Sequence, residues 1–275
     1  MDTIAPKRVA LAELGQRLGH GTQQGGKWAG GYEFRKPMLD VEIEIEDAIQ
    51  QPGLEDLPGR RMVYSLRAAL STLLGKDMRA LSDEDALSLI SLLPYTDVIL
   101  LLYARFLLRT PSIPTTGVTK CFKCGASIPP GSLIRPGGME VDVLDPWRDR
   151  PTKEIVLEEP VDIEGLGEVK SLFIQVPTFR STWYEMTEQQ MRNGLRMRAR
   201  LVEPAIVGTD KHPIDKFVSP REGFLGRSLL RSQYEKIEID VLSFCGGVRP
   251  AFPLTCPKCK VDTLFPFRLP DLGLY

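Results

Sequence analysis

Four of the five cysteines in this 275-residue chain stand in two pairs, Cys121-Phe-Lys-Cys124 and Cys256-Pro-Lys-Cys259. One tight turn can aim two thiols three positions apart at a single metal ion. Two such pairs supply the four tetrahedral ligands of a structural zinc site. Gly125 after the first pair and Pro257 inside the second suit turns whose backbone amides point at sulfur. One pair alone would be ambiguous, because redox dithiols share the spacing. Together the pairs point to zinc held by Cys121, Cys124, Cys256 and Cys259. The bland alternatives are two independent dithiols or reduced surface cysteines. A four-sulfur site leaves no open position for water or substrate, so the role expected of the metal is structural.

The distance between the pairs dictates what must position them. Between Cys124 and Cys256 lie 131 residues, whereas a free-standing zinc ribbon has about 15–20. Closing a loop of that size costs roughly 5 kcal/mol by the chain-entropy estimate, and structural zinc binds with about 10–16 kcal/mol at neutral pH. The metal can offset the closure, more easily if the intervening segment folds by itself. It would then clamp the beginning and end of a domain.

Other chemistry is hard to find. The two histidines are His20 in a glycine-rich stretch and His212 in a polar loop. Neither belongs to an HExxH pattern, and there is no GxSxG nucleophile elbow and no phosphate-binding GxxxxGK[ST] loop. The expectation is a protein that is not an enzyme and has no small-molecule substrate. A net charge of −1 provides no global basic field for nucleic acid or anionic lipid. Paired cysteines suggest a reducing compartment rather than a disulfide scaffold. Residues 1–12 carry charges and lack the apolar core of a signal peptide.

Three stretches follow from the pattern. Residues 1–37 read as a flexible glycine-rich arm, with a short helix near Pro6 and with Trp28, Tyr32 and Phe34 ready to dock on the body or on another subunit. Residues 38–119 read as mainly helical. Leu39-Asp-Val-Glu-Ile-Glu-Ile-Glu alternates strictly, which fits a strand and also the start of a helix, and the strand is preferred. Arg60 to Leu74 is an amphipathic helix stopped by Gly75, and Ser82 caps a helix from Ala86 to Leu93. After Pro94, Thr96-Asp97 can cap a further helix through Leu108. The run Leu87 to Leu108 contains Pro94, Asp97 and Arg105, which suits a soluble core and no membrane span. Residues 120–275 read as a β-rich domain closed by the knuckles, with strands near Ile155, Val161 and Ser171. Inside it, Thr187 to Val202 is a helix carrying Arg192, Arg196, Arg198 and Arg200, the one basic cluster, and Arg227 to Val241 is another. Cys245 reads as a buried small hydrophobe at a strand end. The fold class is therefore α+β, a helical N-terminal half and a β-rich C-terminal half closed by a split four-cysteine, zinc-ribbon-like site.

The order of these features carries a resemblance. A helical half ends in Asp97-Val-Ile-Leu-Leu-Leu-Tyr-Ala-Arg-Phe and runs into a CxxCG knuckle. A β-rich middle and a late helix follow. The chain closes with Leu254-Thr-Cys-Pro-Lys-Cys and the apolar tail from Phe265 to Tyr275. Over residues 85–275 this is similar to the small baseplate hub and hub-assembly proteins of contractile-tailed bacteriophages of the T-even type. Lys260 stands where that family often has glycine, and the glycine-rich arm has no counterpart. The resemblance implies a virion or assembly protein of the tail baseplate, assembled in the host cytoplasm, whose partners are other tail and baseplate proteins. It carries over no catalytic residues, only the four cysteines. The alternative is a zinc-ribbon nucleic-acid-binding protein using Lys120, Lys123, Lys258 and Lys260. A CxxC redox protein would need a βαβ context that the sequence lacks.

Overall fold

The helix Tyr95–Arg109 is apolar on almost every side, and the structure buries ten of its residues, from Tyr95 through Arg105. A helix without a polar face has to sit inside a core. The computed structural model describes residues 7–24, 27–109, 113–114, 119–128, 133–134, 140–143, 152–220, 222–246, 248–249 and 251–266. The apolar tail beyond Pro266, residues 1–6 and the side chain of Trp28 lie outside the described residues.

Around the central helix one cluster of buried side chains runs from Leu18 and Tyr32 through Leu66 and Leu100 to Leu172, Val241 and Cys245. It crosses both boundaries expected at 37/38 and 119/120. Helices and strands are interleaved along the chain, so the division into a helical N-terminal half and a β-rich C-terminal half does not describe the fold. The β-rich part contributes the helices Gly194–Val202 and Arg231–Cys245, and the N-terminal part contributes a sheet.

That sheet corrects the reading of residues 1–37 as a flexible arm. Strands Arg17–Gln24 and Lys27–Phe34 pair antiparallel, and the second continues onto Leu70–Leu73 and then Lys76–Asp77. Glycine raises the entropic cost of order, but Leu18 at 1% exposure and Tyr32 at 4% enter the core and offset it. Before them come a short strand, Lys7–Ala10, and one helical turn, Leu11–Leu14.

The strand preferred over Leu39 is a helix, Leu39–Ile49. Its alternation left both periods open, and burial decided between them. Val41 and Ile45, one turn apart, pack on Ala68 and Ala69, while Ile43 stays exposed. Glu42 faces the central helix, 3.0 Å from Arg109 and 3.7 Å from the buried Arg105. Burial lowers the Arg105 pKa to about 10 against the opposing pull of Glu42, so the guanidinium stays charged at neutral pH.

Pro58–Ala69 is the amphipathic helix, with Pro58 in its first turn. It stops sooner than expected because the chain becomes extended at Leu70 and enters the sheet. Leu74 and Gly75, both at positive φ, make the two-residue turn to Lys76. At the helix start, Gly59 lies so close to the backbone of Trp183 that an added Cβ would stand 2.1 Å from its carbonyl oxygen. Asp83–Ser91 opens as expected, Ser82 Oγ accepting the Asp85 N–H at 3.1 Å.

The strands near Ile155, Val161 and Ser171 form one long hairpin, Lys153–Ile163 with Gly167–Ile174, extended by Ile206–Thr209. The helix expected from Thr187 to Val202 is two, Glu188–Arg192 and Gly194–Val202. Asn193 breaks the run, and its side chain accepts the Arg196 N–H at 3.3 Å. Arg231–Cys245 begins and ends later than the pattern suggested. Among the described residues, no helix is long and apolar enough to cross a membrane.

Candidate metal centre

Each cysteine pair sits on the turn of a small hairpin. Thr119–Lys120 pairs with Ser127–Ile128, and Ala251–Thr255 pairs with Asp262–Pro266. The two turns repeat one hydrogen-bond scheme. Cys121 N–H donates to Ala126 O at 2.9 Å and Gly125 N–H to Cys121 O at 2.9 Å. In the second turn Cys256 N–H donates to Val261 O at 3.0 Å and Lys260 N–H to Cys256 O at 3.0 Å. Gly125 and Lys260 occupy the same place, at φ of 66° and 59°. Lys260 thus holds a left-handed conformation that costs a residue with a Cβ roughly 1–2 kcal/mol.

These turns bring together the four cysteines that the spacing selected. Their sulfurs all lie within 4.8 Å of one another, and they form the one group of this kind among the described residues. Cys121 Sγ is 3.6 Å from Cys259 Sγ, and Cys124 Sγ is 3.7 Å from Cys256 Sγ. Four sulfurs each about 2.3 Å from a central zinc at tetrahedral angles stand about 3.8 Å apart, so the donor set fits that ion. Cys121 and Cys256 are buried, and Cys124 and Cys259 are on the outer side. Backbone N–H groups of Cys259 and Lys258 turned toward Cys256 sulfur hold its pKa below the ordinary thiol value. At Cys259 the Val261 N–H favours the thiolate, but burial and the other three sulfurs outweigh it and push the pKa to about 11. Four thiols this close compete for protons, and a dication resolves the competition by holding all four as thiolates.

The elements joined by the site reach into the core. Helix Tyr95–Arg109 precedes the first hairpin, whose Ile128 is 1% exposed in the main cluster. Helix Arg231–Cys245 precedes the second. On the outside, Phe122 is 73% exposed at the tip of the first turn. Lys120, Lys123, Lys258 and Lys260 are exposed around the centre.

Cys245 is not at a strand end but in the last turn of Arg231–Cys245. It is buried as expected, and burial pushes its thiol pKa to about 12. Purified protein is expected to contain one zinc per chain by elemental analysis, and Cys245→Ser is expected to keep that value. A thiol-alkylating reagent applied to native, metal-loaded protein at neutral pH is expected to leave Cys245 unmodified, since little thiolate is present to react. Zinc near zero under reducing, chelator-free conditions would rule the site out.

A second constellation escaped the sequence reading. Asp97, fully buried, accepts the backbone N–H of His20 at 2.8 Å and of Gly21 at 2.6 Å. Thr96 Oγ1 lies 3.2 Å from His20 Nδ1. Thr96 and Asp97 therefore do not cap the helix from outside. They sit in its first turn and turn onto the glycine-rich strand. The carboxylate adds to the effect of burial in raising the Tyr32 pKa to about 12. The available signal was a lone acid at the head of a strongly apolar run. His212 is elsewhere, with Nε2 3.3 Å from Leu166 O.

Comparison with known protein families, with curated proteins and with solved structures gives no match.

Proposed function

We propose that this chain is a non-catalytic structural or assembly protein of a phage tail baseplate, stapled by zinc at Cys121, Cys124, Cys256 and Cys259 and binding neighbouring tail subunits. The observation that carries the reading is the closed four-sulfur centre, formed by matched turns from the middle and the end of the chain. Its four cysteines are the positions that the resemblance to baseplate hub proteins carries over. A centre with every coordination position filled by protein supports a fold and leaves no place for a substrate. On this reading the protein is assembled in the host cytoplasm and ends in, or on the way to, the virion.

A zinc-ribbon nucleic-acid-binding protein is the second reading, favoured by exposed Phe122 among Lys120, Lys123, Lys258 and Lys260. An aromatic face beside cations is what a single strand stacks on. Against it, four thiolates around a dication carry a net charge of −2 by simple count, and the lysines offset that charge first.

Affinity purification of the tagged full-length chain from its native source, with identification of what co-purifies, separates the two. Tail or baseplate proteins are expected in the eluate, with no retention of labelled single-stranded DNA or RNA at moderate salt. Oligonucleotide binding that weakens steeply with salt and is lost in a Lys123→Glu, Lys258→Glu variant, with no tail protein recovered, would transfer the assignment to nucleic acid.

A further inference from the structure

The basic cluster at Arg192 to Arg200 looks uniform in sequence and is sorted by the fold. Arg192 pairs with Glu188, Arg198 approaches the buried Glu238 at 3.5 Å, and Arg200 pairs with Glu222 at 3.0 Å. Arg196 is exposed and has no ion-pair partner among the described residues. It lines a groove of about 870 Å³ between helix Gly194–Val202, strand Ile206–Thr209 and the loop that runs through Phe217 to helix Phe224–Ser228.

The lining of this groove is mixed: Arg200 and Arg227 join Arg196 in it, together with the apolar Ile214, Phe217 and Pro220. Glu222 fixes two of the guanidiniums. Its carboxylate holds Arg200, and its backbone carbonyl accepts from Arg227 at 3.0 Å. Arg227 also lies 3.5 Å from Glu164. Positioned in this way, Arg200 and Arg227 lose less side-chain freedom when a ligand arrives. Glu203 also lines the groove, but it takes the Gly223 N–H at 2.8 Å, and burial raises its pKa. Ile214 is 44% exposed, and neighbouring Val218 is 81% exposed.

We propose that this groove binds an extended acidic peptide segment of a partner protein, a carboxylate engaging Arg196 and an apolar side chain lying against Ile214 and Phe217. A segment carrying both acidic and apolar side chains matches this mixed lining. A phosphate backbone matches less well, because Glu222 and Glu164 already share two of the three cations and half the lining is apolar. The groove lies apart from the cysteine centre and does not depend on the baseplate reading.

The test uses full-length, zinc-loaded protein and a fluorescein-labelled peptide alternating glutamate and leucine. Controls are the same peptide with lysine for glutamate and an oligothymidylate of similar length. Fluorescence anisotropy is expected to show saturable binding of the acidic peptide alone. Arg196→Glu is expected to weaken it about tenfold or more, the scale of one lost charge-assisted hydrogen bond, with zinc content and melting temperature unchanged. Ile214→Asp is expected to weaken it as well. No binding, equal binding of the lysine peptide, or acidic-peptide binding indifferent to Arg196→Glu would overturn the proposal. Oligothymidylate binding abolished by Arg196→Glu would reassign the groove to nucleic acid.

Discussion

Cys256→Ser protein is expected to bind no zinc and to melt about 5–15 °C below the parent, the shift expected for a protein of this size from a loss of roughly 2–5 kcal/mol. Sequence separation alone would credit the metal with closing the full loop between Cys124 and Cys256. The fold lowers that share, because the strands Lys153–Ile163 and Gly167–Ile174 and helix Arg231–Cys245 already join the central helix in one core. What a bound metal would still hold is the pair of hairpins. Cys256 is fully buried there, with backbone amides placed for a thiolate, and a serine hydroxyl cannot replace that ligand. Since Leu66 and Leu172 share the core, helix Pro58–Ala69 and strand Gly167–Ile174 are expected to lose hydrogen-exchange protection together. Chelation of the parent is expected to reproduce the shift. A melt unchanged by either treatment would show that the centre is peripheral to stability.

The four-cysteine cluster was legible because its information is local. Two cysteines three apart define a turn whatever the rest of the chain does, and the four sulfurs meet as the spacing required. The strongly apolar run before residue 109 was legible for a similar reason, since no surface helix tolerates that composition. The rest depended on contacts far apart in sequence. Alternation over Leu39 to Glu46 matches two secondary structures, and only the surface offered by Ala68 and Ala69 selects the helix. The glycine-rich stretch looked unable to order because its cost is local while its compensation is distant. Leu73 lies opposite Tyr32 in the sheet, and Asp97 is more than seventy residues beyond His20 and Gly21. The ion pairs of the basic cluster were hidden in the same way, because partners such as Glu222 and Glu238 come from other parts of the chain.

Replacing Asp97 by alanine is expected to destabilise the protein by about 3–5 kcal/mol, the largest effect foreseen for a residue outside the metal centre. The carboxylate is fully buried and serves two backbone donors, His20 N–H at 2.8 Å and Gly21 N–H at 2.6 Å. Alanine would leave both donors without their acceptor in a site closed to solvent, at about 1–3 kcal/mol each, and would leave a cavity as well. Beside Leu18, which anchors the strand in the core, Gly19 and Gly21 contribute no side chains to pack. At Gly21 the backbone is also at a φ of 66°, so the strand cannot easily shift to find a new acceptor. Asp97→Asn keeps the shape and one acceptor oxygen, so it is expected to recover part of the loss. Urea denaturation gives the energies, and hydrogen exchange gives their location. In Asp97→Ala, amides of Arg17–Gln24 and Lys27–Phe34 are expected to exchange faster under conditions where those of helix Pro58–Ala69 remain protected. If Asp97→Ala stayed within about 1 kcal/mol of the parent, the typical net value of a single hydrogen bond, the carboxylate would not be what holds this strand to the central helix.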